Sequence, residues 1–225
     1  ASNSLWLILL LIISGCTIIM PYQRPSDKDV IPEGIEGSAK NLVATATIRM
    51  EKIGGLDFTG RAVIIASEPD HFRIEFLGPF NQVVFVLACD GKNLSLLDER
   101  KELLRRWPAT ESPYPFNGGE VASYLLGSTP TVFGDKDPFK ETVVSRMKEG
   151  YVESIVRYSN GNAELRVDMK EYRLISSIPI PFLISIITEM GNITINYKTV
   201  KLNEDITGVD FHLTVPPGGK EVYGD

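Results

Sequence analysis

Residues 70–98 read DHFRIEFLGPFNQVVFVLACDGKNLSLLD, and this stretch decides the fold class. In its first part Phe72, Ile74 and Phe76 alternate with His, Arg and Glu, which is the period-two pattern of a strand with one buried face. Val83–Cys89 is apolar throughout, which predicts either a central strand or one covered on both faces. The stretch therefore predicts neighbouring strands of an antiparallel sheet.

The same alternation recurs on both sides of this stretch. It is cleanest in Ala163–Met169, where Glu, Arg and Asp separate the apolar residues. Asn and Gly at 160–161 and at 191–192 predict hairpin turns. Residues 39–225 are therefore predicted to form one mainly β domain, with further strands at Leu42–Met50, Phe58–Ala66, Leu94–Leu97, Tyr151–Tyr158, Phe182–Thr188 and Ile193–Lys201.

The alternation breaks in the proline-rich segment 107–139. Within it, Val121, Leu125 and Leu126 form an apolar face with helical spacing, and Asn117 precedes them as a candidate N-cap. The segment therefore predicts one short helix within Gly119–Gly127. Such a helix either closes the open side of a curved sheet as a lid or fills core volume, and the sequence leaves both alternatives open.

The N-terminal residues have the pattern of a bacterial lipoprotein signal. Leu5–Ile13 is an apolar run much shorter than the roughly 20 residues that span a membrane. Ser14 and Gly15 precede Cys16, the residue whose thiol such a signal presents for acylation. We therefore expect residues 1–15 to be a cleaved signal peptide and Cys16 to carry the lipid. An uncleaved signal anchor is the alternative, because apolar residues resume at Ile18.

Residues 16–38 carry prolines and glycines among polar residues, which predicts a flexible, extended tether between the lipid anchor and the domain. Thr17, and not Asp, follows Cys16, so the inner-membrane retention signal of enteric bacteria is absent. We therefore expect the protein on the periplasmic face of the outer membrane, attached to the membrane through acylated Cys16.

Composition and motifs argue against nucleic-acid binding and catalysis. The net charge of −6 comes without a basic stripe that could face phosphates. The two histidines, His71 and His212, fall in predicted strands without metal-ligand spacing, and neither a nucleophile elbow nor a phosphate-cradling loop occurs. Cys89 is expected to be a small buried residue without a disulfide partner. We expect no enzymatic activity, no metal and no cofactor.

Two regions of the chain resemble the LolA/LolB superfamily of lipoprotein carriers and receptors. The first is Asp70–Asp98, with an Asp-x-aromatic-Arg pattern, an apolar strand, a Pro-containing tip and another apolar strand. The second comprises Ile193–Asn203, Phe211–Leu213 and Pro216–Val222, which are similar to the closing strands and Pro-Gly ending of that superfamily. Together with the lipoprotein signal and the order of strands, the resemblance covers about residues 40–222.

The resemblance implies a single unclosed antiparallel β-barrel with a short helical lid around an apolar cavity for acyl chains. The residues themselves do not distinguish such a cavity from a packed core, because protein interiors are normally dense. The candidate lid residues are Val121, Leu125 and Leu126. The candidate cavity-lining residues are Ala46, Ile48, Phe58, Ala62, Ile64, Phe72, Ile74, Phe76, Phe85, Leu165 and Val167.

Pro79 and Phe80 occupy the tip between two apolar strands. The resemblance implies that the residue after the proline is an exposed apolar side chain that contacts the membrane. Phe80 keeps the tip apolar, and Asn81 can adopt a left-handed turn conformation. The alternative, Phe80 folded back onto the sheet, stays open.

A second apolar concentration spans Ile178–Ile187. Pro179, Pro181 and the following Glu189 exclude a membrane helix, so we expect an edge segment that leads into a buried strand. The alternative is that this segment rims the cavity mouth and meets a lipid-bearing partner.

We therefore expect a monomer that binds the acyl chains of lipoproteins or envelope lipids and delivers them to the membrane. A soluble LolA-like carrier is a candidate partner. The alternative is a structural or scaffolding envelope lipoprotein that binds a protein partner and carries no lipid cargo. A cavity of several hundred Å³ would favour the first function, and a filled core the second.

Overall fold

The computed structural model describes residues 39–53, 56–114, 116–130, 140–146, 151–159 and 162–224. These residues form twelve strands and one helix. In chain order the elements are β1 (Asn41–Ile53), β2 (Leu56–Ser67), β3 (His71–Leu77), β4 (Val83–Asp90), β5 (Asn93–Asp98), β6 (Leu103–Pro108), α1 (Gly118–Leu125), β7 (Lys140–Arg146), β8 (Val152–Ser159), β9 (Asn162–Ile175), β10 (Ile178–Thr188), β11 (Gly191–Leu202) and β12 (Lys220–Tyr223). The alternation of the sequence predicts most of these strands, but not β6, β7 or β12, and the resemblance covers most of β12 through Pro216–Val222.

All twelve strands belong to one sheet, in the order β12-β6-β5-β4-β3-β2-β1-β11-β10-β9-β8-β7. Every neighbouring pair is antiparallel except β12 and β6, which run in parallel. The pairing of β1 with β11 joins the two halves of the chain. Because β12 and β7 each have one neighbour, the sheet is open. This confirms the predicted mainly β fold, with a single unclosed sheet and a short helix.

One face of the sheet, called here the core face, packs against α1. The alternation of the sequence accounts for it, since Leu42, Ala44, Ala46 and Ile48 of β1 are all buried while intervening side chains are at least partly accessible. The pattern continues in β2, β3, β9 and β10. Their inward residues and the apolar residues of α1 form one continuous hydrophobic cluster, so burial of this face is the main stabilising contribution.

The opposite face of β4–β6 is also covered. Val86, Ala88, Leu97 and Leu104 form a second cluster with Leu213, which lies in the segment that crosses from β11 to β12. The predicted burial of Val83–Cys89 on both faces is thereby confirmed, and Cys89 is a buried free thiol as expected.

Side-chain contacts hold this crossing segment, and they correct one expectation. The sequence places Phe211–Leu213, including His212, in a strand, but the segment has no strand before Lys220. His212 instead pairs through Nδ1 with Asp90 Oδ2 at 2.7 Å. The buried Arg106 donates to the Leu213 carbonyl and pairs with Glu221. This segment lies across the faces of the strands and has no neighbouring strand to pair with. Its contacts with Asp90 and Arg106 therefore take the place of backbone hydrogen bonds between strands.

The prolines of β10 lie where the strand has a single partner. Pro179 and Pro181 pair with β9, while pairing with β11 begins only at Leu183. The missing N–H groups therefore cost no ladder bond to β11. The predicted edge segment is therefore limited to the first residues of β10, because from Leu183 onward β10 has a partner strand on both sides.

Candidate functional site

The core face brings together the residues that the sequence proposes as an acyl site. Ten of the eleven candidates are buried and belong to the same hydrophobic cluster as α1, whereas Phe58 is partly buried at its border. Phe58 and Phe76 meet edge to face, with ring centroids 5.4 Å apart. The strand register explains this grouping, because positions two residues apart point to the same face.

Helix α1 fills this face. Val121, Leu125 and Leu126 are 6%, 1% and 5% exposed and pack into the cluster. Phe58 also lines a surface cavity of about 610 Å³, together with residues of the β1–β2 hairpin and Asn192. The described candidate residues therefore pack with α1 in one hydrophobic cluster.

The start of α1 is fixed by its cap. Asn117 accepts a hydrogen bond from the Glu120 amide, and the Glu120 side chain accepts one from the Asn117 amide. This capping box satisfies two otherwise unpaired donors at the helix N-terminus. It confirms the predicted N-cap, and the helix spans Gly118–Leu125, close to the predicted range.

Polar contacts link both ends of α1 to the sheet. Near its start Glu120, 3% exposed, pairs with Arg157 of β8, which is 8% exposed. Arg157 also lies near Glu164, with 3.6 Å between Nε and Oε2, which is too long for a hydrogen bond. At the other end the Tyr197 hydroxyl donates to the Leu125 carbonyl at 3.0 Å. Burial raises the pKa of Tyr197 well above its ordinary value, so it remains a donor.

Sequence reasoning did not single out Glu120, Arg157 or Tyr197. A signal for Arg157 exists, since it stands two residues after Ile155, on the inward face of β8. A charged residue at an inward position requires a buried partner. The partner lies on a helix 37 residues away in sequence, so the pair itself could not be read from spacing.

Phe80 lies outside the core at the tip of the β3–β4 loop. Its side chain is 91% exposed, and Pro79 is also exposed. The sequence left open whether Phe80 is exposed or folds back onto the sheet, and in the structure it is exposed. The membrane-contacting role of Pro79 and Phe80 stays a proposal.

Hydrogen bonds within the β3–β4 loop determine this outward position. The Gly78 amide donates to the Gln82 carbonyl at 2.8 Å, and the Phe80 amide donates to Gln82 Oε1 at 3.0 Å. Asn81 adopts the left-handed conformation, with φ of 63°, and accepts a hydrogen bond from Arg61 of β2. The loop is thus an ordered turn, and the Phe80 side chain projects from it into solvent.

Cys16, the signal peptide and the tether lie outside the described residues, so those expectations stay predictions. Within the described ranges no helix is both long and apolar enough to span a bilayer. The same ranges contain no group of three or more His, Cys, Asp or Glu side chains arranged to hold a metal ion.

Comparison with known proteins finds its matches among solved structures. No family model matches the chain, and no curated protein matches it. A LolA superfamily protein from Nitrosomonas europaea superposes with a TM-score of 0.53 at 10% identity, over 80% of this chain and 93% of that chain. An outer membrane lipoprotein-sorting protein domain from Vibrio parahaemolyticus gives a TM-score of 0.54 at 13% identity, over 78% and 88% of the two chains.

A DUF1329 family protein from Desulfovibrio piger gives the same TM-score of 0.54 and 13% identity, over 78% of this chain and 89% of that chain. These likenesses cover about four fifths of the chain and show that the fold is LolA-like. At identities this low they establish the fold alone.

Proposed function

We propose that this protein is a lipid-anchored envelope protein that holds an acyl chain of a lipoprotein or envelope lipid against its core face and passes it to a membrane. The observation that carries the proposal is the 91% exposure of Phe80 on an ordered loop. Leaving a phenylalanine side chain in water forgoes about 2 kcal/mol of burial. A loop that enforces this exposure suits insertion into the headgroup region of a bilayer.

The fold supports the same class of function. One of the similar structures is named as a lipoprotein-sorting domain and another as a LolA superfamily protein. An open sheet with an apolar face and one covering helix is suited to hold a chain that must later be released. We therefore extend the sorting role of that relative to this chain as a proposal.

In this proposal the acyl chain takes the place that α1 fills. Val121, Leu125 and Leu126 supply apolar contacts to the core face, and an acyl chain can supply contacts of the same kind. Displacement of the helix therefore exchanges one apolar partner for another. The Glu120–Arg157 and Tyr197–Leu125 contacts are the polar links that must be released or rearranged.

The proposed anchor allows the Phe80 end of the sheet to reach the membrane. The tether enters at the start of β1, at the end of the sheet opposite to the β3–β4 loop. Residues 16–38, when extended, reach about 75 Å. Strand β1 is about 43 Å long at the usual rise per residue. An acylated Cys16 therefore leaves the domain free to present either end to the bilayer.

A transfer assay tests this function. The full chain, anchored in vesicles, receives a fluorescently labelled acylated peptide, and the rate at which the label enters the bilayer is measured. We expect Phe80→Glu to reduce the rate at least tenfold, since a charged tip resists insertion, while Phe80→Leu retains it. Equal rates for the native chain and Phe80→Glu would contradict a role of the tip in delivery.

The second candidate function is a scaffolding lipoprotein without lipid cargo. The observation that favours it is the packed state of the core face among the described residues. In that case acyl probes never reach the core face, and Phe80 contacts a protein. Photo-cross-linking with an acyl probe distinguishes the two, since only the first function places adducts on the core face.

A further inference from the structure

The β10–β11 turn presents additional exposed apolar side chains. Met190, at the tip of this turn, is 42% exposed, and Ile187 just before it is 41% exposed. Thr188 orders the turn, because its hydroxyl donates to the Gly191 carbonyl at 2.9 Å and accepts from the Met190 amide at 3.2 Å. As at Phe80, local hydrogen bonds hold apolar groups toward solvent.

The register places this turn at the same end of the sheet as Phe80. Strands β1 and β3 run in one direction, so the turn after β1 and the loop after β3 share one end. Strand β10 is antiparallel to β11, which is antiparallel to β1, so the β10–β11 turn belongs to that end too. Three inter-strand steps separate β3 from β11, which corresponds to about 14 Å.

The two tips also extend to similar heights. Heights along the sheet can be compared through the residues of β1. Leu77 pairs with Arg61, which pairs with Thr47 of β1. Asn192 pairs with Glu51, four residues further along β1. The β10–β11 turn therefore lies about four residues beyond the level of Leu77, and Phe80 lies three residues beyond it along the chain. At about 3.3 Å per residue this difference is a few Å, comparable to the length of a side chain.

Gly191 fixes the turn against the neighbouring hairpin. Its φ is 139°, and a Cβ at this position would lie 2.0 Å from the Glu51 carbonyl oxygen. The turn thus packs directly on the backbone of the β1–β2 hairpin. Met190 is consequently held at a defined place on the sheet end, and not on a freely moving loop.

Charges beside the two tips are balanced. The β1–β2 hairpin carries Arg49 and Lys52 against Glu51 and Asp57, and Arg49 pairs with Glu51. Arg61 and Glu189 add one charge of each sign. Attraction to an anionic surface requires an excess of positive charge, which these positions lack. The chemistry therefore fits a zwitterionic phospholipid surface, contacted through apolar side chains.

We propose that Met190 and Ile187 enter the same zwitterionic lipid surface as Phe80. Two ordered tips then fix the orientation of the sheet on the membrane, whereas one tip leaves it free to tilt. This inference rests on the proposed function, because it assumes that Phe80 meets a membrane.

Depth-dependent quenching tests the inference with the anchored full chain in phosphatidylcholine vesicles. A single cysteine at position 190, 80 or 174 carries an environment-sensitive fluorophore, and lipid-borne nitroxides report contact with the bilayer. Cys89 is buried and stays unlabelled. Leu174→Cys is the matched control, since Leu174 is 66% exposed but lies at the opposite end of the sheet, near the β9–β10 turn.

We expect quenching at positions 80 and 190 and none at 174. We also expect Met190→Glu to reduce quenching at position 80 by about threefold or more, because a tip contact is lost, and Leu174→Glu to leave it unchanged. Quenching at 80 without quenching at 190 would overturn this inference alone. Absence of quenching at both positions would overturn the membrane role of Phe80 as well.

Discussion

Phe80 and Phe72 lie at opposite extremes of exposure on the same hairpin, at 91% and 0%. We predict that Phe80→Ala changes the free energy of unfolding by less than about 0.5 kcal/mol, because the side chain has little burial to lose. Phe72→Ala should lower it by about 3–5 kcal/mol, since it removes a ring from the packed core face. Denaturant titrations followed by circular dichroism measure both values. A comparable loss for both variants would contradict the position of Phe80 in solvent.

Asp90 contacts the crossing segment through His212, and its low pKa predicts a pH-dependent contribution to stability. Burial alone would raise the pKa of Asp90, but hydrogen bonds from His212 and from the Asn93 and Lys92 amides outweigh it and lower the pKa from 3.8 to about 2. A folded-state pKa below the unfolded value stabilises the protein above pH 4, and this contribution is lost as the pH falls toward 2.

We therefore predict that Asp90→Asn flattens the acid limb of the stability profile between pH 4 and pH 2, relative to the native chain. Melting temperatures measured across this range provide the comparison. An identical slope for the two proteins would show that Asp90 does not carry this dependence.

At the scale of elements, α1 packs on the core face, and the proposed function requires it to be displaced before an acyl chain can bind there. Glu120→Gln retains the capping box, because Gln also serves at that position, but removes the charge that pairs with buried Arg157. We expect this variant to lose about 1–3 kcal/mol of stability. Part of this loss weakens the attachment of α1 to the sheet. If the attachment loses about 1–2 kcal/mol, the population of molecules with α1 displaced should rise about 5- to 30-fold.

An acyl probe should therefore label the core face of Glu120→Gln several-fold more efficiently than that of the native chain. The matched control is Glu164→Gln, which removes a charge at 3.6 Å from Arg157 without breaking a hydrogen bond. Equal labelling of the native chain and Glu120→Gln would mean that α1 does not gate the core face.

Elements differ in how far the sequence predicts them, and burial explains the difference. Strands such as β1 and β3 bury one face, so Leu42–Ile48 and Phe72–Phe76 alternate and are predictable. Strand β12 is exposed at all four positions and therefore has no alternation to detect. In β6, Arg106 takes a buried position whose partners, Leu213 and Glu221, lie more than 100 residues away.

The candidate site divides in the same way. The inward residues of the core face follow from alternation, whereas the exposure of Phe80 is what the resemblance implies and is one of two alternatives that the sequence leaves open. The Glu120–Arg157 pair and the level of Met190 with Phe80 depend on strand order and register. One-dimensional spacing does not contain this information, since contacts between distant elements are set by the tertiary fold.

At the scale of the whole domain, the proposed function has an acyl chain bind the apolar core face while two exposed tips at one end of the sheet contact the membrane. Its central claim is that an acyl chain reaches the core face. Ala62 is a suitable residue for testing this claim, because it is small, only 1% exposed and lies within the hydrophobic cluster of the core face. Enlarging this residue should block the path while costing about 1–3 kcal/mol of stability through overpacking.

The measurement that tests the claim most directly is photo-cross-linking with a diazirine-bearing fatty acyl probe. The full chain is anchored in vesicles, irradiated with the probe and mapped by mass spectrometry. The account predicts saturable adducts on core-face peptides that contain Ala62, Phe72 or Val121, and their loss in a folded Ala62→Phe variant. Adducts confined to residues 1–38 and to the Phe80 and Met190 tips, with none on the core face, would contradict it.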